Sequence, residues 1–205
     1  MGTLVMVRHG ESLWNRVGRY QGQQDIGLSD EGIRQAEMLA QFFRSWRFEA
    51  FYASDLSRAR ETAVIIAKHH AMPVTLDPRL REYAFGVWEG LTRAEIEVKY
   101  AGMYARRRTD INTPIPGGEL GVQVQARVTD WLQEIAAAHS GTVLAVSHGG
   151  TIRTLIAALL EVDITRCYRL TLSNAGYSII RWQSQGTKIQ FRIDGINCYP
   201  RLKPL

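Results

Sequence analysis

Two histidines in this chain each follow an apolar run and precede a glycine. Leu4-Val5-Met6-Val7 leads into Arg8-His9-Gly10-Glu11, and residues 142–146 lead into Ser147-His148-Gly149-Gly150. Continuous apolar runs rich in branched residues are typical of buried parallel strands. Because parallel strands end at the same rim of a sheet, both histidines are expected to face one ligand if their strands are neighbours. Imidazole and guanidinium groups at such a rim are suited to phosphate chemistry.

A third cationic side chain is expected at the same rim. Ala50-Phe51-Tyr52-Ala53 predicts a strand, Ser54-Asp55 is typical of a helix cap, and Arg58 then falls in the first helical turn. Gly149-Gly150 opens another helix, whose N-terminal amides favour an anion, and glycine lets an oxyanion approach the backbone closely. Each residue alone has an ordinary structural explanation. Gathered at three strand ends, the cations and imidazoles predict an anion between them.

The spacing of apolar residues predicts the elements that position these groups. A helix capped by Ser29 is expected to bury Ile33, Ala36, Leu39, Ala40 and Phe43. Further predicted elements are a strand at 73–76, helices at 92–100 and 120–139, and a hairpin of segments 177–182 and 188–193 around Gly186. The strands and helices alternate. We therefore expect an α/β fold, a three-layer α/β/α sandwich whose mostly parallel central sheet ends in a C-terminal hairpin, in a single domain spanning 1–205.

The composition limits the function classes. The net charge of +5 is carried mainly by arginine, which favours an anionic ligand, but the arginines are scattered rather than arranged as a nucleic-acid surface. No apolar stretch approaches the roughly 20 residues needed to span a membrane, and no signal peptide is evident. Cys167 and Cys198 form neither a disulfide framework nor a zinc ribbon. We expect a cytoplasmic protein that binds neither nucleic acid nor membrane.

The ordered motifs resemble those of the histidine phosphatase superfamily, which includes the phosphoglycerate mutases and many small phosphatases. The resemblance spans most of the chain and is closest to the small stand-alone phosphatases. Its motifs are Val7-Arg8-His9-Gly10-Glu11-Ser12, Ser54-Asp55-Leu56-Ser57-Arg58-Ala59, Leu80-Arg81-Glu82, Pro116-Gly117-Gly118-Glu119 and Val146-Ser147-His148-Gly149-Gly150. One departure is Leu120, where a serine is frequent in the family.

The resemblance implies catalysis by five residues: the nucleophile His9, the proton donor Glu82, and Arg8, Arg58 and His148 around the phosphoryl oxygens. A neutral imidazole can attack phosphorus without a metal when a hydrogen bond at its other nitrogen fixes the tautomer. The transferring group carries negative charge on its equatorial oxygens, which the arginines and His148 stabilise. Glu82 protonates the leaving oxygen and then takes a proton from the water that hydrolyses phospho-His9.

Three more residues, Asn15, Gln21 and Gly149, are predicted to bind the substrate. The resemblance implies no metal ion and no cofactor. Arg106-Arg107-Arg108 could meet a second anionic group of the substrate or form a solvated face. The aromatic residues near the predicted mouth could border the ligand or pack in the core; they are Tyr20, Tyr83, Phe85, Trp88 and Tyr104.

The predicted activity is hydrolysis of a small phosphorylated metabolite through a phosphohistidine. The mutases carry a longer insertion after the Glu82 position that excludes water, whereas the interval here, from Tyr83 to Pro116, is short. An open site favours hydrolysis. The alternatives are a phosphoglycerate mutase and a catalytically silent module that binds a phospho-ligand or a protein. The edge of the last hairpin is a candidate surface for a homodimer.

Overall fold

The structure, a computed structural model, describes residues 1–185 and 188–200. Its strands are β1 (Gly2–Arg8), β2 (Ala50–Ala53), β3 (Val74–Leu76), β4 (Thr142–Ser147), β5 (Tyr177–Gln185) and β6 (Lys188–Cys198). They form one sheet in the order β3-β2-β4-β1-β5-β6. The first four strands in this order are parallel, and β5 and β6 are antiparallel to their neighbours. The predicted mostly parallel sheet with a C-terminal hairpin is confirmed, and the turn expected at Gly186 lies outside the described residues.

Helices cover both faces of the sheet. They are α1 (Leu13–Arg16), α2 (Asp30–Phe43), α3 (Ser57–Ala67), α4 (Arg93–Lys99), α5 (Ala101–Thr109), α6 (Gly121–Ala138) and α7 (Gly149–Leu159). Short 3-10 helices at Lys68–His70, Pro78–Leu80, Gly86–Trp88 and Ile164–Arg169 link them.

Alternate residues of β1 divide the core into two layers. Leu4 and Met6 join a cluster on the side of α6 and α7, which includes Trp131 and Leu155. Val5 and Val7 join a cluster on the other side, which includes Phe43 of α2. A strand buried on both faces has no polar alternation, which explains its continuous apolar sequence. These two clusters on either side of the sheet confirm the predicted three-layer sandwich.

Two details of the predicted helices are wrong. Ser54-Asp55 does not cap α3: the cap residue is Leu56, without a side-chain hydrogen bond, and the Asp55 carboxylate instead accepts from Arg81 Nε at 2.7 Å. Ile33, expected on the buried face of α2, is 40% exposed. The predicted cap of α2 is confirmed, since Ser29 Oγ accepts from Gly32 N at 3.1 Å.

Candidate active site

The two His-Gly sequences meet at one rim of the sheet. Strands β1 and β4 are parallel neighbours, with Arg8 opposite Ser147, so His9 and His148 follow at the same level. Their ring centroids lie 5.0 Å apart in an edge-to-face arrangement. Both side chains are buried, with exposed fractions of 3% and 0%. The prediction that the two strands are neighbours and bring the histidines together is confirmed.

The ring of His9 is held in one tautomer. Its Nδ1 lies 2.6 Å from the carbonyl oxygen of Gly10, which can only accept, so Nδ1 carries the hydrogen and Nε2 has a free lone pair. Burial, followed by the charges of Arg58 and Arg8, holds the pKa of His9 well below its ordinary value of 6.5. A neutral imidazole with a bare Nε2 is the form that can act as a nucleophile.

Two arginines lie beside His9, and neither has a carboxylate partner among the described residues. Arg8 donates from Nη1 to the Leu172 carbonyl at 2.6 Å, and Arg58 donates from Nη1 and Nη2 to the carbonyls of Gln24 and Gly22, both at 2.8 Å. The Nε of each is buried and has no hydrogen-bond partner among the described residues. Burial lowers the pKa of each guanidinium to about 10, so both remain cationic at neutral pH. Backbone carbonyls orient these cations without neutralising them, which suits an anionic ligand.

His148 lies at the N-terminus of α7, with its ring beside that of His9. Neither of its ring nitrogens has a hydrogen-bond partner within the described part of the chain. Burial, followed by the charge of Arg58, holds the pKa of His148 well below 6.5. Buried polar atoms normally have partners, so we interpret these unpaired nitrogens and the two arginine Nε atoms as groups that a bound anion would satisfy.

Asn15 and Gln21 have their side-chain oxygens already engaged. Asn15 Oδ1 accepts from Ser12 N at 3.1 Å, and Gln21 Oε1 accepts from Ser12 Oγ at 2.7 Å. Both residues line the same cavity as His9. With each oxygen held by Ser12, the amide NH2 groups are the free ends, and they can donate to a substrate oxygen.

The carboxylate of Glu82 docks on the N-terminus of α7. It accepts from the backbone N–H of Gly150 at 2.9 Å, of Thr151 at 3.2 Å and of Tyr83 at 2.9 Å. This arrangement corrects one expectation: the amides of Gly150 and Thr151 hold the chain's own carboxylate rather than an external anion. Gly149 lines the cavity as predicted, and a Cβ there would lie 3.3 Å from Arg8 Nε.

An ion pair that was not predicted holds the segment carrying Glu82. Arg127 donates from Nη1 to the Arg79 carbonyl at 2.6 Å and from Nη2 to the Glu82 carbonyl at 3.0 Å, and its Nε donates to Glu119 Oε1 at 3.0 Å. Glu119 Oε2 in turn accepts from Ala84 N at 2.9 Å. Glu119 lies in the Pro-Gly-Gly-Glu motif, which could have revealed it, whereas Arg127 belongs to no recognised motif.

One cavity of about 450 Å³ contains almost all of the predicted site residues. Its lining includes His9, Arg8, Arg58, Glu82, Asn15, Gln21 and Gly149. His148 is the exception: it does not belong to the lining, although its ring centroid lies 5.0 Å from that of His9, which does. The expected aromatic residues complete the lining, and these are Tyr20, Tyr83, Phe85, Trp88 and Tyr104.

The arginine run contributes two side chains to the wall. Arg107 and Arg108 line the cavity together with Arg153 of α7, whereas Arg106 does not. Arg107 is only 2% exposed and donates to the carbonyls of Thr113 at 2.8 Å and Glu119 at 3.0 Å. Within the described residues its buried Nε has no partner and no carboxylate pairs with its charge. The cavity therefore has a second cationic region besides the one around His9.

A family model described as "Histidine phosphatase superfamily (branch 1)" matches residues 4–194. The chain belongs to the histidine phosphatase superfamily. Phosphoserine phosphatase 1 of Hydrogenobacter thermophilus is 36% identical over 187 residues, which cover 90% of this chain and 89% of that protein. A glucosyl-3-phosphoglycerate phosphatase of Mycolicibacterium vanbaalenii is 37% identical over 169 residues, which cover 78% and 75% of the two chains.

The solved structures place the fold in the same superfamily. A mycobacterial glucosyl-3-phosphoglycerate phosphatase solved with VO3 has a TM-score of 0.88 and 34% identity, and it covers 96% of this chain and 99% of its own. The named relatives are phosphatases, which makes this histidine phosphatase a phosphoric monoester hydrolase. These relatives favour the hydrolase over the mutase and the silent binder.

The described residues contain no group of three or more histidine, cysteine, aspartate or glutamate side chains arranged to hold a metal ion. None of their helices combines the length and the apolar character needed to cross a membrane.

Proposed function

We propose that this histidine phosphatase hydrolyses a small phosphomonoester that also carries a carboxylate, by way of a phosphohistidine at His9. The observation that carries the proposal is the fixed tautomer of His9, whose bare Nε2 lies beside two buried arginines that are held by backbone carbonyls and form no ion pair with a carboxylate among the described residues. A neutral nucleophile next to fixed cations suits attack on a phosphate dianion, because the cations stabilise its oxygens before and during transfer.

In the first half-reaction, His9 Nε2 forms a bond to phosphorus while the bond from phosphorus to the ester oxygen breaks. Glu82 gives its proton to the leaving oxygen, which departs as an alcohol. Arg8, Arg58 and His148 surround the phosphoryl oxygens, and the free amide groups of Asn15 and Gln21 donate to them.

In the second half-reaction, water attacks phosphorus and the bond from phosphorus to His9 Nε2 breaks. The Glu82 carboxylate takes the proton of the attacking water, and inorganic phosphate leaves. Glu82 is then protonated again, as at the start of the cycle. One carboxyl group therefore serves both halves.

The carboxylate of the substrate is assigned to the second cationic region of the cavity. Arg107 is buried and forms no ion pair within the described part of the chain, and Arg108 lines the same cavity. The relatives named as phosphoserine and glucosyl-3-phosphoglycerate phosphatases both act on phosphate esters of a carboxylic acid. Two cationic regions in one cavity match the two anionic groups of such molecules.

The test is a substrate panel assayed in EDTA. Phosphoserine, 3-phosphoglycerate and glucosyl-3-phosphoglycerate carry the carboxylate, whereas glucose 6-phosphate and p-nitrophenyl phosphate lack it. We expect turnover that survives EDTA, with kcat/KM highest for one of the three acids. Equal or higher kcat/KM for glucose 6-phosphate would overturn the assignment of the carboxylate.

We also propose that the chain works as a single domain spanning 1–205, in the cytoplasm, on a small metabolite rather than on nucleic acid. The outer strand β6 (Lys188–Cys198) lies at the sheet edge and is the candidate surface for a homodimer. Light scattering after size-exclusion chromatography tests this assembly. A mass of one chain at all protein concentrations would exclude the dimer.

A further inference from the structure

Asn174 contacts the loop that carries His9 at three points, and no motif in the sequence pointed to it. Its Nδ2 lies 3.1 Å from the His9 carbonyl, 3.3 Å from the Gly10 carbonyl and 3.1 Å from Asn15 Oδ1. The residue precedes β5, the strand that pairs with β1 on the side opposite β4. A single side-chain amide therefore joins two backbone carbonyls of the nucleophile's loop and a predicted substrate-binding side chain.

The orientation of this amide follows from the donors around it. Asn15 Oδ1 accepts from the backbone N–H of Ser12, which fixes that atom as the oxygen. The group that Asn174 presents to it must then be the donor. The other two neighbours of Asn174 Nδ2 are backbone carbonyl oxygens, which also only accept. All three contacts agree on the same orientation of the amide.

The Gly10 carbonyl connects Asn174 to the nucleophilic ring of His9. It accepts from His9 Nδ1 at 2.6 Å, and this contact keeps the hydrogen on Nδ1 and leaves Nε2 bare. Gly10 is held on its other side as well, because its N–H donates to Thr62 Oγ1 at 3.1 Å. A carbonyl that rotated away would release Nδ1 and allow both tautomers. The position of this oxygen thus decides which nitrogen of His9 can attack.

The backbone next to Asn174 is built for this contact. Ala175 adopts a left-handed φ of 56°, which an alanine rarely does, and its N–H donates to the carbonyls of Arg8 at 3.1 Å and His9 at 3.2 Å. The strained turn aims the side chain of Asn174 at the nucleophile's loop. Strain of this kind persists where the surrounding contacts over-determine it.

We infer that Asn174 is a positioning residue for catalysis: it fixes the Gly10 carbonyl that sets the tautomer of His9, and it turns the amide of Asn15 toward the substrate. The inference rests on the proposed role of His9 as nucleophile. It extends that proposal, because it attributes control of the His9 tautomer to a residue in a distant segment, the one that precedes β5. This positioning role depends on the two N–H groups of the Asn174 amide and not on the volume of the side chain.

Two substitutions separate the donors from the volume. Asn174→Ala removes the two N–H donors. Asn174→Asp keeps the shape of the side chain but replaces the NH2 group by an oxygen, which cannot donate to the three surrounding acceptor oxygens. We expect the rate of phosphoryl transfer from p-nitrophenyl phosphate to fall about tenfold for Asn174→Ala and further for Asn174→Asp. A role in packing alone would give the opposite order, with the isosteric aspartate closer to the wild type.

The direct readout is the tautomer itself, observed by NMR of protein labelled with 15N-histidine and without substrate. His9 is assigned by the signal lost in His9→Asn. We expect one tautomer in the wild type, with hydrogen on Nδ1, and a mixture in both Asn174 variants. An unchanged single tautomer in both would overturn the inference. Because no turnover enters this measurement, it stands apart from the proposed function, which fails if His9 never becomes phosphorylated.

Asn197→Gly is the matched control. Asn197 Oδ1 accepts from Ser173 N at 2.8 Å and so holds the same segment from the other side, without touching the nucleophile's loop. Its φ of 53° suits glycine, so the change removes the side chain without adding backbone strain. We expect a lower melting temperature with the wild-type tautomer of His9. A mixture of tautomers in this control as large as in Asn174→Ala would contradict a specific role for Asn174.

Discussion

The carboxylate of Glu82 accepts a hydrogen bond from the backbone N–H of Gly150 at 2.9 Å. Gly150 lies two residues after His148, so the proposed acid is tied to the helix that begins behind the proposed nucleophile. The bond joins the loop that follows the 3-10 helix at Pro78–Leu80 to the first turn of α7. Glu82 thereby has a fixed position relative to His9, as a proton donor to the leaving oxygen requires.

Glu82→Gln should separate substrates by their leaving groups. The amide keeps the shape but has no proton to give, so we expect kcat for phosphoserine to fall by about 10² to 10⁴-fold. Formation of the phosphoenzyme from p-nitrophenyl phosphate should fall much less, because nitrophenolate leaves without a proton. Rapid-quench kinetics on both substrates measure this difference. Equal losses in phosphoenzyme formation would contradict the assignment of the acid.

Gly150→Ala should displace Glu82. A Cβ at this position would clash with Glu82 Oε1 and lie 2.8 Å from Tyr83 Cδ2, so the carboxylate must leave the N-terminus of α7. We expect a large fall in kcat with little change in the far-ultraviolet circular dichroism. The matched control is Gly102→Ala in α5, where a Cβ meets nothing within 4 Å. That variant should keep wild-type kcat and gain about 0.5–1 kcal/mol of stability.

Substitutions of Arg107 and Arg108, but not of Arg106, should weaken the preference for a substrate that carries a carboxylate. Arg107→Lys and Arg108→Ala should lower kcat/KM for phosphoserine relative to p-nitrophenyl phosphate, by about 10-fold or more, because a bond to a charged group contributes about 1.5–3 kcal/mol. Arg106→Ala is the control, since Arg106 does not line the cavity. The ratio of two substrates within one variant cancels any loss of folded protein. An unchanged ratio in both cavity variants would show that the carboxylate lies elsewhere.

The two buried histidines should make the protein less stable in weak acid. The pKa values of His9 and His148 are held well below 6.5 in the folded protein, chiefly by burial. As the pH falls below about 6.5, the unfolded chain takes up protons at both positions and the folded protein does not. The free energy of unfolding should therefore fall with pH, by up to about 1.4 kcal/mol per pH unit for each histidine.

Urea denaturation at pH 7.5 and pH 5.5 measures this pH dependence. His148→Asn should reduce the fall in stability between the two pH values. His69→Asn, at an exposed histidine, is the matched control and should keep the wild-type difference. A wild-type protein equally stable at both pH values would contradict the neutral, buried state of the two rings.

The placement of the candidate site was largely predictable because the site lies where strands end. Continuous apolar runs before His9 and His148 predicted two buried parallel strands, and such strands end at one rim. The rest depends on contacts that sequence spacing does not encode. Asn174 reaches His9 from 165 residues away in the chain, and Glu82 reaches the amides of α7 only after the chain has folded back.

Helix α5 is the clearest case in which the spacing of apolar residues does not predict the helix. It buries Tyr104 and Arg107 within nine residues, so it carries no apolar stripe from which a helix could be predicted. The run of three arginines was equally consistent with a solvated face and with a ligand contact. The structure separates its members, because Arg106 is exposed while Arg107 is buried in the cavity wall. Only the helix register decides which arginine faces the substrate.

The most direct test of the account is capture of the phosphoenzyme on His9. Protein in EDTA is mixed with substrate, quenched with alkali, digested and analysed by mass spectrometry, with His9→Asn as the control. We expect one phosphoryl group on the peptide that contains His9, formed at a rate no slower than turnover and absent from the variant. A phosphoryl group on another residue, or turnover by His9→Asn at the wild-type rate, would contradict it.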